Sequence, residues 1–121
     1  MKETLERYLQ TIYGLSKHGQ AVKSIDVGHA LGVNRPDVFR ALKTLKLCGY
    51  IEQKPYGKIV LTGKGKCKAE QILKVHKIIS DFFVVTIGLT VTDAEANAYK
   101  IEHILSDTAI NKIIDLYTKK Q

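Results

Sequence analysis

The chain has 121 residues, 45% of them hydrophobic, with two cysteines and a formal net charge of +7. That size and composition suit one or two small units with a modest core. Cys48 and Cys67 form neither a zinc-type pair nor a disulfide framework. The longest apolar block, Ile78 to Leu89, is interrupted by Ser80 and Asp81 and is too short to span a bilayer. Lys2, Glu3 and Glu6 do not fit a cleavable signal, so a soluble, cytoplasmic protein with no membrane partner is expected.

The charge is segregated. Residues 1–75 carry fourteen Lys/Arg against six Asp/Glu, whereas residues 76–121 carry five against six. The surplus therefore sits in the first part, as phosphate neutralisation requires.

In chain order, Leu5, Tyr8, Leu9, Ile12 and Tyr13 form one stripe of a helix from Glu3 to about His18. His18, near that helix end, is expected to meet the dipole or solvent. Ala21 to Lys23 reads as a short strand. Ser24 is expected to cap a short helix, Ile25 to Leu31, ending at Gly32, with His29 near the surface. Asn34 then caps a second helix, with Pro36 in its first turn. Val38, Ala41, Leu42 and Leu45 make its apolar face, and Arg35, Arg40, Lys43 and Lys46 its cationic face. Two capped helices joined by a Gly-containing turn fit a helix-turn-helix over about Ser24 to Leu47. Cys48 is expected as a small core residue at its end.

Tyr50 to Lys54 and Lys58 to Thr62 read as paired strands. Lys54-Pro55-Tyr56-Gly57 between them is expected as a type I turn. A ribbon with a lysine-flanked tip after a recognition helix is a wing. Thr62 caps a long helix, about Lys64 to Val85, stopped by Gly88. Its apolar second half, from Ile78, is expected to be buried between partners. Thr92 and Glu95 suggest a capping box. The helix so opened carries Ala94, Ala98, Ile101 and Leu105 on one side. Glu95, Tyr99 and Glu102 fall on the other, with His103 beside them. A last helix, about Thr108 to Lys119, has its stripe at Ile110, Ile113, Ile114 and Tyr117.

The fold class expected is therefore mainly α with a small β wing. A winged helix-turn-helix DNA-binding domain (1–63) precedes a linking helix and a helical dimerisation domain (64–121). The natural partners are double-stranded DNA and a second copy of the chain. Arg35 and Arg40 are candidates for guanine edges or phosphates, and Asn34 for phosphate or base. Pro36 shapes the same turn. Asp37 either accepts from cytosine N4 or orients Arg40. Phe39 either meets a thymine methyl or packs on a neighbouring element. Lys43, Lys54 and Lys58, with Tyr56 at the tip, are expected on the DNA backbone.

No Gly-rich phosphate loop, nucleophile elbow or His-Glu-x-x-His pattern is present, so an enzyme is not expected. The rival is a winged helix used for protein docking or sequence-neutral DNA architecture.

Several segments carry a family likeness. They are Tyr8-Leu9-Gln10-Thr11-Ile12-Tyr13, Leu31-Gly32-Val33, Pro36, Gly49-Tyr50-Ile51-Glu52, Pro55-Tyr56-Gly57 and Leu61-Thr62-Gly63-Lys64-Gly65. His76, Glu102-His103 and Leu105-Ser106-Asp107 complete the set. Along essentially its whole length the chain resembles the iron- and manganese-dependent repressors of the diphtheria toxin repressor type, in their short two-domain form. The resemblance implies a homodimeric transcriptional repressor whose DNA affinity rises when manganese or iron binds between the first helix and the later ones. It implies His76, Glu102 and His103 as metal ligands. The positions where it implies further ligands hold Arg7, Gln10 and Tyr99. Arginine cannot ligate, so the metal response is expected to be altered or absent. Arg7 is either a built-in cation that replaces the metal beside Glu102 or a surface partner of Glu3.

Overall fold

The computed structural model describes residues 2–17 and 21–119. The expectation for His18 lies outside the described residues. Among the described residues, six α-helices and a two-stranded ribbon follow in the order α1 (Lys2–Ser16), α2 (Ser24–Leu31), α3 (Arg35–Leu47), β1 (Ile51–Gln53), β2 (Ile59–Leu61), α4 (Gly63–Phe82), α5 (Val91–Glu102) and α6 (Asp107–Lys119). They form two compact units, Met1–Glu70 and Gln71–Gln121.

In the first unit, Tyr8, Leu9 and Ile12 of α1 are buried together with Val27 of α2 and with Val38, Ala41, Leu42 and Leu45 of α3. Helix α2 begins one residue earlier than expected, at the residue expected to cap it. Ser24 is its first helical residue, and the Asp26 carboxylate accepts from the Lys23 N–H at 2.9 Å. Acid chemistry in the first turn thus replaces the hydroxyl cap. Helix α3 begins as expected: Asn34 Oδ1 accepts from the Asp37 N–H at 2.9 Å, and Pro36 sits in the first turn.

The end of α3 is fixed in four ways. Gly49 adopts φ +80°, and the N–H groups of Gly49 and Tyr50 bond the carbonyls of Lys46 and Leu45, a Schellman termination. Lys64 Nζ donates to the Cys48 carbonyl at 2.7 Å, placing a cation at the negative end of the helix. The same ammonium lies 4.9 Å from the Tyr50 ring centroid. The Thr62 hydroxyl donates to the Gly49 carbonyl at 2.6 Å and accepts from the Gly65 N–H at 3.0 Å, so one side chain closes α3 and opens α4. Gly65 is required there because a Cβ would lie 1.9 Å from the Tyr50 carbonyl oxygen. Cys48 is exposed, contrary to the expectation of a core position, because this termination turns it out of the apolar stripe.

The ribbon pairs antiparallel, with Ile51 opposite Leu61 and Gln53 opposite Ile59. Ile51 and Ile59 are buried, and Val22 adds a single bridge to Ile59 where a short strand was expected. The tip differs from the type I turn expected. Tyr56 adopts φ +66°, ψ +22°, left-handed where a type I turn has a negative φ.

In the second unit, Val75, Ile79 and Ala98 form a core against which Phe83, Ile101, Leu105, Ile110 and Ile114 pack. Helix α4 runs on through a widened turn, Phe83–Ile87, to a left-handed Gly88. Thr90, not Thr92, caps α5, accepting from the Asp93 N–H at 3.2 Å. Helix α6 starts one residue earlier than expected, with Ser106 Oγ accepting from the Ala109 N–H at 3.1 Å. The Tyr117 hydroxyl donates to Asp81 Oδ2 at 3.3 Å. Within this unit Ile78 and Ile79 are buried, whereas Val85 is 81% exposed.

Candidate nucleic-acid interface and candidate metal cluster

The division of α3 into two faces follows from helical periodicity. The residues at 38, 41, 42 and 45 fill the core, so those at 35, 36, 39, 40 and 43 point away from it, and all five are exposed. Asn34 is exposed as well, its side chain committed to the cap. Asp37 does not stand alone. Its carboxylate makes a close ion pair with Arg40 one turn on, fixing the direction of the guanidinium. Exposed as it is, such a pair contributes little to stability and acts mainly on orientation.

Arg7 lies on α1 and lines a groove with Tyr8, Asp37, Arg40 and Lys43, a grouping not anticipated from the sequence. The side chain of Glu3, its expected surface partner, lies outside the described residues. Burial holds the Tyr8 hydroxyl above its usual pKa. The Asp37 carboxylate adds to this, while Arg7 and Arg40 oppose it. Tyr8 therefore enters the groove wall protonated and neutral.

The wing stands beside this face. Tyr56 at its tip is 96% exposed. Lys54 and Lys58 flank it, Lys54 Nζ lying 3.1 Å from Glu52 Oε2. Lys46, expected only as part of the cationic face, has a more definite role. Its Nζ donates to Gln53 Oε1 at 3.0 Å, bracing helix α3 against β1. Neither residue carries a local signal for this contact, since it joins two elements across the wing.

The second unit brings together the three residues that the resemblance implied as ligands. His76 Nδ1 lies 2.7 Å from Glu102 Oε2, and His103 Nε2 lies 3.3 Å from Glu102 Oε1. Glu102 was expected on the polar side of α5, yet it is 3% exposed and His103 4%. The reason is tertiary: His76, on α4, supplies the partner that makes burial of the carboxylate tolerable. Tyr99 stands edge-on to the His103 ring, centroids 5.4 Å apart. Two imidazoles and one carboxylate are donors that a divalent ion accepts. His76 Nδ1 and Glu102 Oε2 are engaged with each other, and among the described residues no group of three or more His, Cys, Asp or Glu is arranged to hold a metal ion.

A cap-locked amphipathic helix, its support helix and a basic ribbon define a winged helix-turn-helix DNA-binding protein. Residues 1–59 match the iron dependent repressor, N-terminal DNA binding domain, and residues 62–120 the iron dependent repressor, metal binding and dimerisation domain. The chain belongs to the iron-dependent repressor family, whose members are DNA-binding transcriptional regulators rather than enzymes. It is 33% identical over 114 residues to an HTH-type transcriptional regulator of Methanocaldococcus jannaschii, spanning 93% of this chain and 91% of that one. It is 29% identical over 119 residues to the transcriptional regulator MntR of Escherichia coli O157:H7, spanning 98% and 76%. Its fold matches the metal-dependent transcriptional regulator MtsR with a TM-score of 0.81 at 23% identity, over 96% of this chain and 54% of that one. The chain thus spans about half the length of that solved relative. Among the described residues no helix is long and apolar enough to cross a membrane.

Proposed function

We propose that this chain is a sequence-specific, homodimeric DNA-binding repressor of the cytoplasm whose response to manganese or iron is altered or absent. The observation that carries the DNA reading is the division of α3. One face is locked into the core, and the other presents Asn34, Arg35, Pro36, Asp37, Phe39, Arg40 and Lys43 to a major groove. Arg40, steadied by Asp37, reads a guanine edge. Lys43 and the wing residues Lys54, Tyr56 and Lys58 hold the sugar-phosphate backbone, so binding is strongly salt-dependent. The match of residues 62–120 to a dimerisation domain supports pairing, as do the exposed Val85, Ile87, Val91, Ile104 and Leu116.

His76, Glu102 and His103 are the donors this chain retains toward a divalent ion. The further positions implied by the family likeness hold Arg7, Gln10 and Tyr99. A guanidinium has no lone pair to give, and a tyrosine hydroxyl is a poor donor to such an ion. Such a set leaves a hard ion short of ligands, so DNA binding does not wait on metal.

The test is selection of preferred duplexes from a random pool, run with manganese and again with chelator. The same duplex is expected in both arms. Enrichment only with manganese, with micromolar manganese binding lost in His103→Ala, overturns the metal part. No enrichment in either arm overturns the DNA reading in favour of docking or sequence-neutral binding.

A further inference from the structure

We infer that Phe39 reads the 5-methyl group of thymine, giving this chain an apolar specificity contact among its charged ones. The inference rests on the DNA-reading role proposed above. Phe39 is 69% exposed although it lies in the second turn of a well-packed helix. The core does not use it, because Val38, Ala41, Leu42 and Leu45 already fill the buried face of α3. Of the two alternatives open from the sequence, this exposure disfavours packing on a neighbouring element.

The surroundings select the partner. Arg35 and Lys43 lie one turn to either side of Phe39 on the same stripe, and Arg40 is adjacent. The ring borders a shallow concavity shared with Ser24, Ile25, His29 and Arg35, in which Ile25 is itself 59% exposed. An apolar patch ringed by cations suits a polyanion that also displays small apolar groups. The major groove of duplex DNA is such a surface, and thymine's C5 methyl is its apolar group.

Uracil keeps every hydrogen-bonding atom of thymine and lacks only this methyl, so it isolates the contact. The experiment starts from the duplex selected by the native chain. Each thymine is replaced in turn by deoxyuridine, and affinity is measured by fluorescence anisotropy at fixed salt. The native chain is expected to lose about fourfold at one thymine per half-site, the order of one buried methyl. Phe39→Ala is expected to bind the thymine duplex more weakly and to be indifferent to uracil at that position. Phe39→Leu is expected to keep part of the discrimination. Because the residue is exposed, the variants should melt with the native chain, and their melting curves check this.

If a preferred duplex exists but no single thymine is sensitive, the inference is wrong and the DNA-reading assignment stands. The same holds if Phe39→Ala keeps the native sensitivity to uracil. If no preferred duplex emerges, the DNA-reading assignment fails and this inference fails with it.

Discussion

Residues 1–70 and residues 71–121 each bury an apolar core, but they place their polar groups in opposite ways. In the first unit the cations Arg35, Arg40, Lys43, Lys54 and Lys58 stand in solvent, and the buried set is apolar. In the second, a carboxylate and an imidazole, Glu102 and His103, are buried, while Val85, Ile87 and Leu116 are exposed. An exposed cationic face costs the fold little and is free to meet a polyanion. A buried Glu between two His is tolerable only while its partners remain. The first unit is thus built to keep its chemistry outward, and the second to keep it inward.

The largest effect is expected from Gly65→Ala, which drives a Cβ into the Tyr50 carbonyl. This should cost about 3 kcal/mol, measured by denaturant titration, and should loosen the junction between α3 and α4. A near-native stability would show that the junction yields easily. Glu102→Ala should follow, at about 2 kcal/mol, because it removes the carboxylate from between His76 and His103. If instead it is neutral, the buried polar cluster is not the stabilising feature described here. Asn34→Ala removes a hydroxyl-free cap and should cost about 1 kcal/mol. Its melting curve should shift without loss of helix elsewhere.

The smallest effect concerns pH. Burial raises the Tyr8 pKa above its ordinary value of 10.0. The folded state then holds that proton more tightly than the unfolded chain. The stabilisation is full below pH 10.0 and is lost as pH rises through the raised folded value. The native chain should therefore lose more stability as pH rises above 10.0 than Tyr8→Phe does. Equal losses would mean that Tyr8 titrates as a free tyrosine.

What could be read from the sequence divides along the same line. The caps Asn34 and Thr62 and the stripe Val38-Ala41-Leu42-Leu45 are local features, decided by residues within a turn of each other, and the structure carries them as expected. Thr90 was missed because Thr92 with Glu95 offers the better local box. The left-handed Gly88 ends the preceding helix early enough for the earlier threonine to take the position. The left-handed Tyr56 was missed because a non-glycine residue at the third turn position favours the right-handed backbone of a type I turn, and here the chain takes the other. The burial of Glu102 and the Lys46–Gln53 brace depend on partners brought in by other elements, which no periodicity reveals.

Two variants compared on the same duplexes separate base recognition by the outward face of α3 from backbone contact by the wing. Affinities of Arg40→Ala and Lys58→Ala are measured for the selected duplex and for a scrambled one over a salt series. Arg40→Ala should lower affinity for the selected duplex by about 1–3 kcal/mol and erase much of its preference. Lys58→Ala should weaken both duplexes alike and reduce the salt slope by about 1. Unchanged discrimination in Arg40→Ala would contradict the account.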